Sequence, residues 1–201
     1  MTRAAAKPVK APFRKPQSHL FYAVFVPPAL YAPLELLQAP VKIGWKTTPA
    51  AQLHVTLAFI GEAADEPLTT FLEAGRGVAS TLEPFTVRLR GTGFYPADGS
   101  PRVWFLKADA PELQIISSGL VERLALTPEH KFQPHVTLAR KRERGPKPPT
   151  QTANLEFQVS QFALVRSFLQ RDGPQYTILE KFYLPAPSEI PRAELNQALQ
   201  L

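Results

Sequence analysis

The pentapeptide His-Val-Thr-Leu-Ala occurs twice, at residues 54–58 and again at 135–139. With about 20,000 position pairs in a chain of this length and roughly one-in-twenty odds per residue, a five-residue identity arises by chance in on the order of one sequence in a hundred. Side chains on a strand alternate faces, so His54 and Thr56 share one face while Val55 and Leu57 share the other, and His135 and Thr137 do the same. The chain has to build two equivalent strands, each burying an apolar side and presenting an imidazole and a hydroxyl on the other.

The surroundings of the two copies also match. The aromatic-rich run at 20–26 predicts a buried strand that Pro27 and Pro28 end, followed by a helix over 29–38 with Pro33 as a kink or its true first turn. A strand over 53–60 carries the first copy. Asp65 is the expected N-cap of a core-packing helix reaching about residue 82, with Pro67 in its first turn. A half-exposed strand over 85–90 leads through a turn-rich connection at 91–102 to a strand over 103–108. Pro111 then opens an amphipathic helix to about residue 126, before the strand 135–139 with the second copy. A basic, proline-rich linker covers 140–153. Strands over 155–169, with a break, and 175–184 come after it, joined through Asp172, Gly173 and Pro174. Strand, helix, strand recurs around each pentapeptide, which reads as two β-α-β units.

An apolar share of 44% over 201 residues suits one globular domain, and the absence of cysteine excludes disulfides, thiolate metal sites and a cysteine nucleophile. A reducing, cytoplasmic setting is expected. No apolar run approaches the roughly 20 residues of a membrane helix, and the basic N-terminus lacks the apolar core of a secretory signal. The net charge of +6 is local: residues 1–18 carry five bases and no acid, and 140–147 carry five bases and one acid, so the remainder sums to −3. The basic tail 1–18 is expected to be solvated and flexible.

Two imidazoles on opposite sides of a phosphorus suit in-line displacement, one protonating the departing oxygen and the other deprotonating the attacking water. Histidine suits both tasks because its unperturbed pKa of about 6.5 keeps both protonation states accessible near neutrality. The threonine hydroxyls supply hydrogen bonds to non-bridging oxygens. A lone His-x-Thr more often satisfies backbone groups at a strand end, but the matched pair reverses that balance.

The paired motifs resemble those of the 2H phosphoesterase superfamily, closest to its bacterial and archaeal RNA 2',3'-cyclic phosphodiesterases, also called 2'-5' RNA ligases. The likeness runs through LFYAVFVP at 20–27, LHVTLAFIGE at 53–62, PRVWF at 101–105, FQPHVTLAR at 132–140, LVRSFL and GPQYTILEKF, over roughly residues 19–184. It implies an α+β, bilobal fold, two pseudo-symmetric β-α-β-derived lobes with antiparallel sheets around a central cleft, flanked by the tails 1–18 and 185–201. It also implies opening of RNA 2',3'-cyclic phosphate ends to a 2'-phosphate without metal or cofactor, by a monomer. His54 would be the general acid for the 3' oxygen, His135 the general base for water, and Thr56 and Thr137 the phosphate holders. The same site would also join a 2',3'-cyclic end to a 5'-hydroxyl end, as a 2'-5' RNA ligation.

Beside these four, Arg140 follows the second motif where Phe59 follows the first, and its guanidinium would steady a phosphate if the strand ends or twists there, since strict alternation points it away. Arg102 is placed to reach a nucleotide, and Trp45, Phe94, Tyr95 and Phe132 are candidates for stacking on a base, with core packing as their alternative. His19 and His130 have no Thr two residues on and no expected role. The competing class is a non-catalytic RNA-end or nucleotide-binding module, which permanently charged Arg or Lys would serve better than histidine. A histidine metal site lacks both HExxH and a second ligand in either motif. Deleting residues 1–18 is expected to leave circular dichroism and turnover of an RNA substrate unchanged; loss of RNA activity alone would overturn this division of the charge.

Overall fold

The computed structural model describes residues 18–62, 67–170 and 173–186. The elements are β1 (Ser18–Phe25), a 3-10 turn (Pro28–Leu30), α1 (Tyr31–Gln38), β2 (Trp45–Thr47), β3 (His54–Gly61), α2 (Leu68–Ala79), β4 (Phe85–Tyr95) and β5 (Val103–Asp109). They continue with α3 (Pro111–Arg123), β6 (His135–Lys141), β7 (Leu155–Val159), β8 (Gln161–Gln170) and β9 (Gly173–Tyr183). The class is α+β. Every strand pairing is antiparallel, in the order β7-β4-β5-β6-β3-β1-β8-β9, with β2 added beside β6.

The expectation of two sheets meets a single nine-stranded one. Its middle is thin: β3 and β6 are joined through the one residue pair Val55 and Val136, whereas the ladders on either side are long. On one face lie the helices, with α3 against β3, α2 against α3, β8 and β9, and α1 against β6. Between helices and sheet sits the main core, including Val24, Val55, Leu57, Trp104, Leu106, Val136 and Leu138, all nearly inaccessible to solvent. Tyr22 is fully buried there, and its hydroxyl donates to the Phe71 carbonyl at 2.6 Å, so the phenol is satisfied where water cannot reach. A smaller cluster of Phe21, Ala23, Ala163 and Val165 packs with Phe25 and Tyr176. No helix among the described residues is long and apolar enough to cross a membrane.

Several element ends differ from the sequence reading. Pro33 lies in the first turn of α1, where a missing N–H leaves no bond unmade. Pro67 is the N-cap of α2, and Asp65 falls outside the described residues. That helix stops at Ala79 and α3 stops at Arg123. β4 runs on through Gly91 and Gly93 to Tyr95, where glycines suggested a turn: a Cβ on Gly93 would stand 2.6 Å from the Phe105 ring, so the glycine makes room for an aromatic crossing the strand. β6 reaches Lys141 because β2, too short to read from sequence, pairs with its last three residues. The C-terminal tail expected from residue 185 lies largely outside the described residues.

Gly75 in α2 faces the Phe182 ring of β9, and an added Cβ would lie 2.3 Å from it. Gly75→Ala is expected to destabilise the fold by about 1–3 kcal/mol, read as a lower urea midpoint, and Phe182→Leu in the same chain should recover part of the loss. An unchanged midpoint for Gly75→Ala would show that the ring moves aside at no cost.

Candidate active site

The pairing of Val55 with Val136 positions both pentapeptides. In an antiparallel pair, that register sets His54 opposite Thr137 and Thr56 opposite His135, with the two histidines on a diagonal of about 7–8 Å. Both valines point into the core at 0% exposure, so all four polar side chains project from the other face, where each is half-buried. The two imidazoles and two hydroxyls thus form a crossed square.

Each ring is held the same way. His54 Nδ1 lies 2.6 Å from the Gln52 carbonyl oxygen, and His135 Nδ1 lies 2.7 Å from that of Gln133. A carbonyl only accepts, so Nδ1 is the protonated nitrogen and donates, leaving Nε2 as the basic atom of each neutral ring. Phe21, Phe25 and Tyr176 surround His54 at centroid distances of 5.2, 5.6 and 5.4 Å. Tyr95 and Phe105 pack on His135 at 5.1 and 5.0 Å. Burial among these rings drives the His54 pKa down to about 4, with the Gln52 bond opposing the fall and the positive Arg140, together with His135 when it is protonated, adding to it. His135 is also lowered, chiefly by burial and further by Arg140. Both rings are therefore held neutral at pH 7.

Arg140 reaches this face through a β-bulge. Trp104 pairs with Ala139 but the next residue of β5, Phe105, pairs with Thr137, so Leu138 is an extra residue in β6. Leu138 and Ala139 are both fully buried, the alternation slips by one, and exposed Arg140 rejoins the face of His135 and Thr137. The first copy carries the same bulge: Tyr22 pairs with Ala58 and Ala23 with Thr56, which skips Leu57 and puts Phe59 on the face of His54 and Thr56. Strict alternation, which pointed position 140 away, failed for this reason.

A cavity of ≈ 320 Å³ opens on the His54 side of the square. Among the described residues its wall includes His54, Thr137, Arg140, Arg142, Lys46 and Tyr176, three cations among them, and no carboxylate; His135 and Thr56 do not line it. Lys46 arrives through β2, directly opposite Arg140.

The lesser candidates separate. Tyr95 stays beside His135, its hydroxyl bonded to the Gln133 side chain. Trp45 does not reach the cavity: it is 8% exposed and packs edge-on against Phe94, which with Phe132 is partly buried against the main core. Packing has taken these three rings. Arg102 is exposed at the start of β5, where its backbone bonds Tyr95 and Lys141, and it does not line the cavity. His19 stacks near Phe59 and Glu62, and His130 lies in the loop before β6. Sequence reasoning missed Lys46, Tyr176 and the two glutamines. Gln52 and Gln133 were readable, because glutamine stands two residues before His in both copies.

The family model of the 2'-5' RNA ligase superfamily matches residues 19–168. An RNA 2',3'-cyclic phosphodiesterase of Thermus thermophilus is 45% identical over 177 residues, 82% of this chain and 89% of that protein. One of Archaeoglobus fulgidus is 30% identical over 149 residues, 69% of this chain and 84% of that protein. A solved structure from Thermus thermophilus is similar at a TM-score of 0.79 and 43% identity, covering 84% of this chain and 99% of that one. The crystal structure of E. coli LigT complexed with 3'-AMP is similar at 0.68 and 26%, covering 85% and 99%.

Nitrogen-resolved NMR titration is expected to show His54 neutral down to about pH 4 and protonated on Nδ1 when neutral, with His135 titrating below its ordinary value. Arg140→Ala should raise both midpoints. A neutral ring carrying its proton on Nε2 would overturn the hydrogen-bond assignment.

Proposed function

The chain belongs to the 2'-5' RNA ligase superfamily, and on that premise we propose that it hydrolyses RNA 2',3'-cyclic phosphate ends to 2'-phosphates by two-histidine acid–base catalysis. The crossed square carries the reading: two imidazoles, each with Nδ1 tied to a carbonyl and Nε2 basic, face one space beside two hydroxyls and a guanidinium. Water gives a proton to His135 Nε2 as its oxygen bonds to phosphorus, the bond from phosphorus to O3' breaks, and O3' takes the proton of His54 Nε2. Thr56, Thr137 and Arg140 hold the non-bridging oxygens. With a 5'-hydroxyl in the place of water, the same steps join the cyclic end to a second RNA end through a 2'-5' phosphodiester.

Strands β6, β5, β4, β7 on one side and β3, β1, β8, β9 on the other support a reading as two pseudo-symmetric lobes around a central cleft, within a unit spanning 19–184. All proposed catalytic groups come from one chain, so a monomer suffices. The 3'-AMP complex of LigT agrees with a nucleotide as ligand.

With its pKa near 4, His54 has to gain a proton before it can act as the acid. The substrate phosphate supplies the cause, since a negative charge against the ring favours imidazolium. Binding of a nucleoside 2'-phosphate is therefore expected to take up protons near pH 7, read from calorimetry in buffers of different ionisation enthalpy; binding without uptake would mean that another group is the acid.

His54→Ala and His135→Ala are each expected to lower kcat on an oligomer ending in 2',3'-cyclic phosphate by about 10²–10⁴-fold, while EDTA leaves the wild-type rate unchanged. The pH profile should be bell-shaped and the product a 2'-phosphate. A rate abolished by chelator and restored by metal would falsify this mechanism. Recovery of intact cyclic phosphate from a tight complex would favour a binding module instead.

A further inference from the structure

One side-chain bond beside the square joins parts of the sheet that the strand register sets far apart. Phe25 at the end of β1 stands opposite His54, and Ser18 at its start stands opposite Phe168 of β8, which leads through Leu169 to its partner Pro174 in β9. On a flat sheet the strand steps from Ser18 to Phe25 alone would put Pro174 roughly 23 Å along the strands from His54. Yet the Gln52 side-chain amide, two residues before His54, donates to the Pro174 carbonyl at 3.0 Å. The end of the β8–β9 hairpin is therefore folded back over the face of β1, across the small cluster of Phe21, Ala23 and Phe25. The fold-back brings the Tyr176 ring to 5.3 Å from Phe21 and edge-on to His54 at 5.4 Å. It also sets Pro174 and Tyr176 in the cavity wall, beside Gln52 itself.

Gln52 thus holds His54 from two directions. Its main-chain carbonyl accepts from Nδ1 at 2.6 Å, and its side chain fastens the hairpin whose tyrosine covers the edge of the ring. Gln133 stands at the equivalent place before His135 and makes the same main-chain bond, but its side chain is exposed and accepts from the Tyr95 hydroxyl on β4. Resting on the cyclic phosphodiesterase reading above, we propose that Gln52 is a positioning residue for the proposed acid: it fastens the folded-back hairpin over His54 and so fixes the direction in which Nε2 offers its proton. With Nδ1 tied and Tyr176 against its edge, the ring has one orientation left. Released from the hairpin, it gains water and room to turn, and the carbonyl no longer enforces a single tautomer. Proton delivery to O3' depends on alignment, and a misplacement of about 1 Å is enough to cost up to about a hundredfold. Gln52 acts through His54 and the hairpin, not on the reacting atoms.

The test uses two substrates that differ at one atom: a nucleoside 2',3'-cyclic phosphate, and its analogue with sulfur in place of O3', which leaves phosphorus as a thiolate and needs no proton. Gln52→Leu is expected to lower kcat about tenfold on the oxygen substrate and to leave the sulfur analogue near wild type. Tyr176→Ala should cause a similar loss, and the double variant no more than either alone, because both release the same contact. In the ligand-free protein, nitrogen-resolved NMR should show neutral His54 gaining an Nε2–H form in Gln52→Leu and not in Gln133→Leu. Equal losses for Gln52→Leu on the oxygen and sulfur substrates, losses that multiply with those of Tyr176→Ala, or an unchanged His54 tautomer each overturn the proposal. The parent reading fails in a different way: wild type opens neither substrate, or His54→Ala loses as much on sulfur as on oxygen. Either of those results removes the acid that Gln52 is proposed to position, and the proposal with it.

Discussion

Where β3 meets β6, only Val55 and Val136 are paired, and the two halves of the sheet are held in register at the point where the site lies. Both side chains are completely buried under the helices, so a slip of one residue would turn two valines out to solvent and two histidines into the core. The apolar half of the pentapeptide is thus the reason its polar half is positioned. It also explains why a ladder of one pair suffices: the long pairings of β1 with β3 and of β5 with β6 hold each strand, and the valines have only to lock the two together.

Burial and one guanidinium set the electrostatics of the square. Arg140 is a permanent charge, and its field, with burial, keeps both imidazoles neutral. Two cationic histidines beside a guanidinium would repel one another and lose hydration, so a neutral resting state costs the fold less than a charged one. For the fold, the depressed His54 pKa means that stability is complete above pH 6.5 and declines as pH falls toward 4, where the unfolded chain binds a proton that the folded one does not. Under the proposed mechanism a phosphate in the square reverses that preference, so that substrate and proton bind as coupled ligands and a buried imidazole serves as an acid near neutrality.

The strands bearing the two motifs and the face shared by His and Thr were legible, because period-two alternation reports burial directly. The position of Arg140 was not, since the bulge at Leu138 adds a residue that alternation does not count. A hint stood in the sequence: Leu and Ala are adjacent and both apolar in each copy, and two neighbouring apolar residues on a half-exposed strand cannot alternate faces. Lys46 was illegible for a different reason. Its strand is three residues long and exists because β6 offers an edge, so no local pattern marks it. Gly91 and Gly93 signalled a turn, and Gly93 instead clears space for Phe105, a demand set by a residue on another strand.

Identical motifs do not make identical sites. Across β1 the residue paired with His54 is Phe25, whereas across β5 the residue paired with His135 is Lys107. Three aromatic rings close around His54, and it lines the cavity; His135 has two rings, an exposed lysine at its side and no place in the cavity wall. An imidazole enclosed by apolar rings exchanges protons most readily with what is bound against it, and one near the open edge meets water. The neighbours, not the pentapeptide, therefore divide the labour: under the proposed mechanism the enclosed ring protonates a leaving oxygen and the open one activates the incoming water. Phe25 and Lys107, which help to distinguish the two histidines, lie one strand away from the motif.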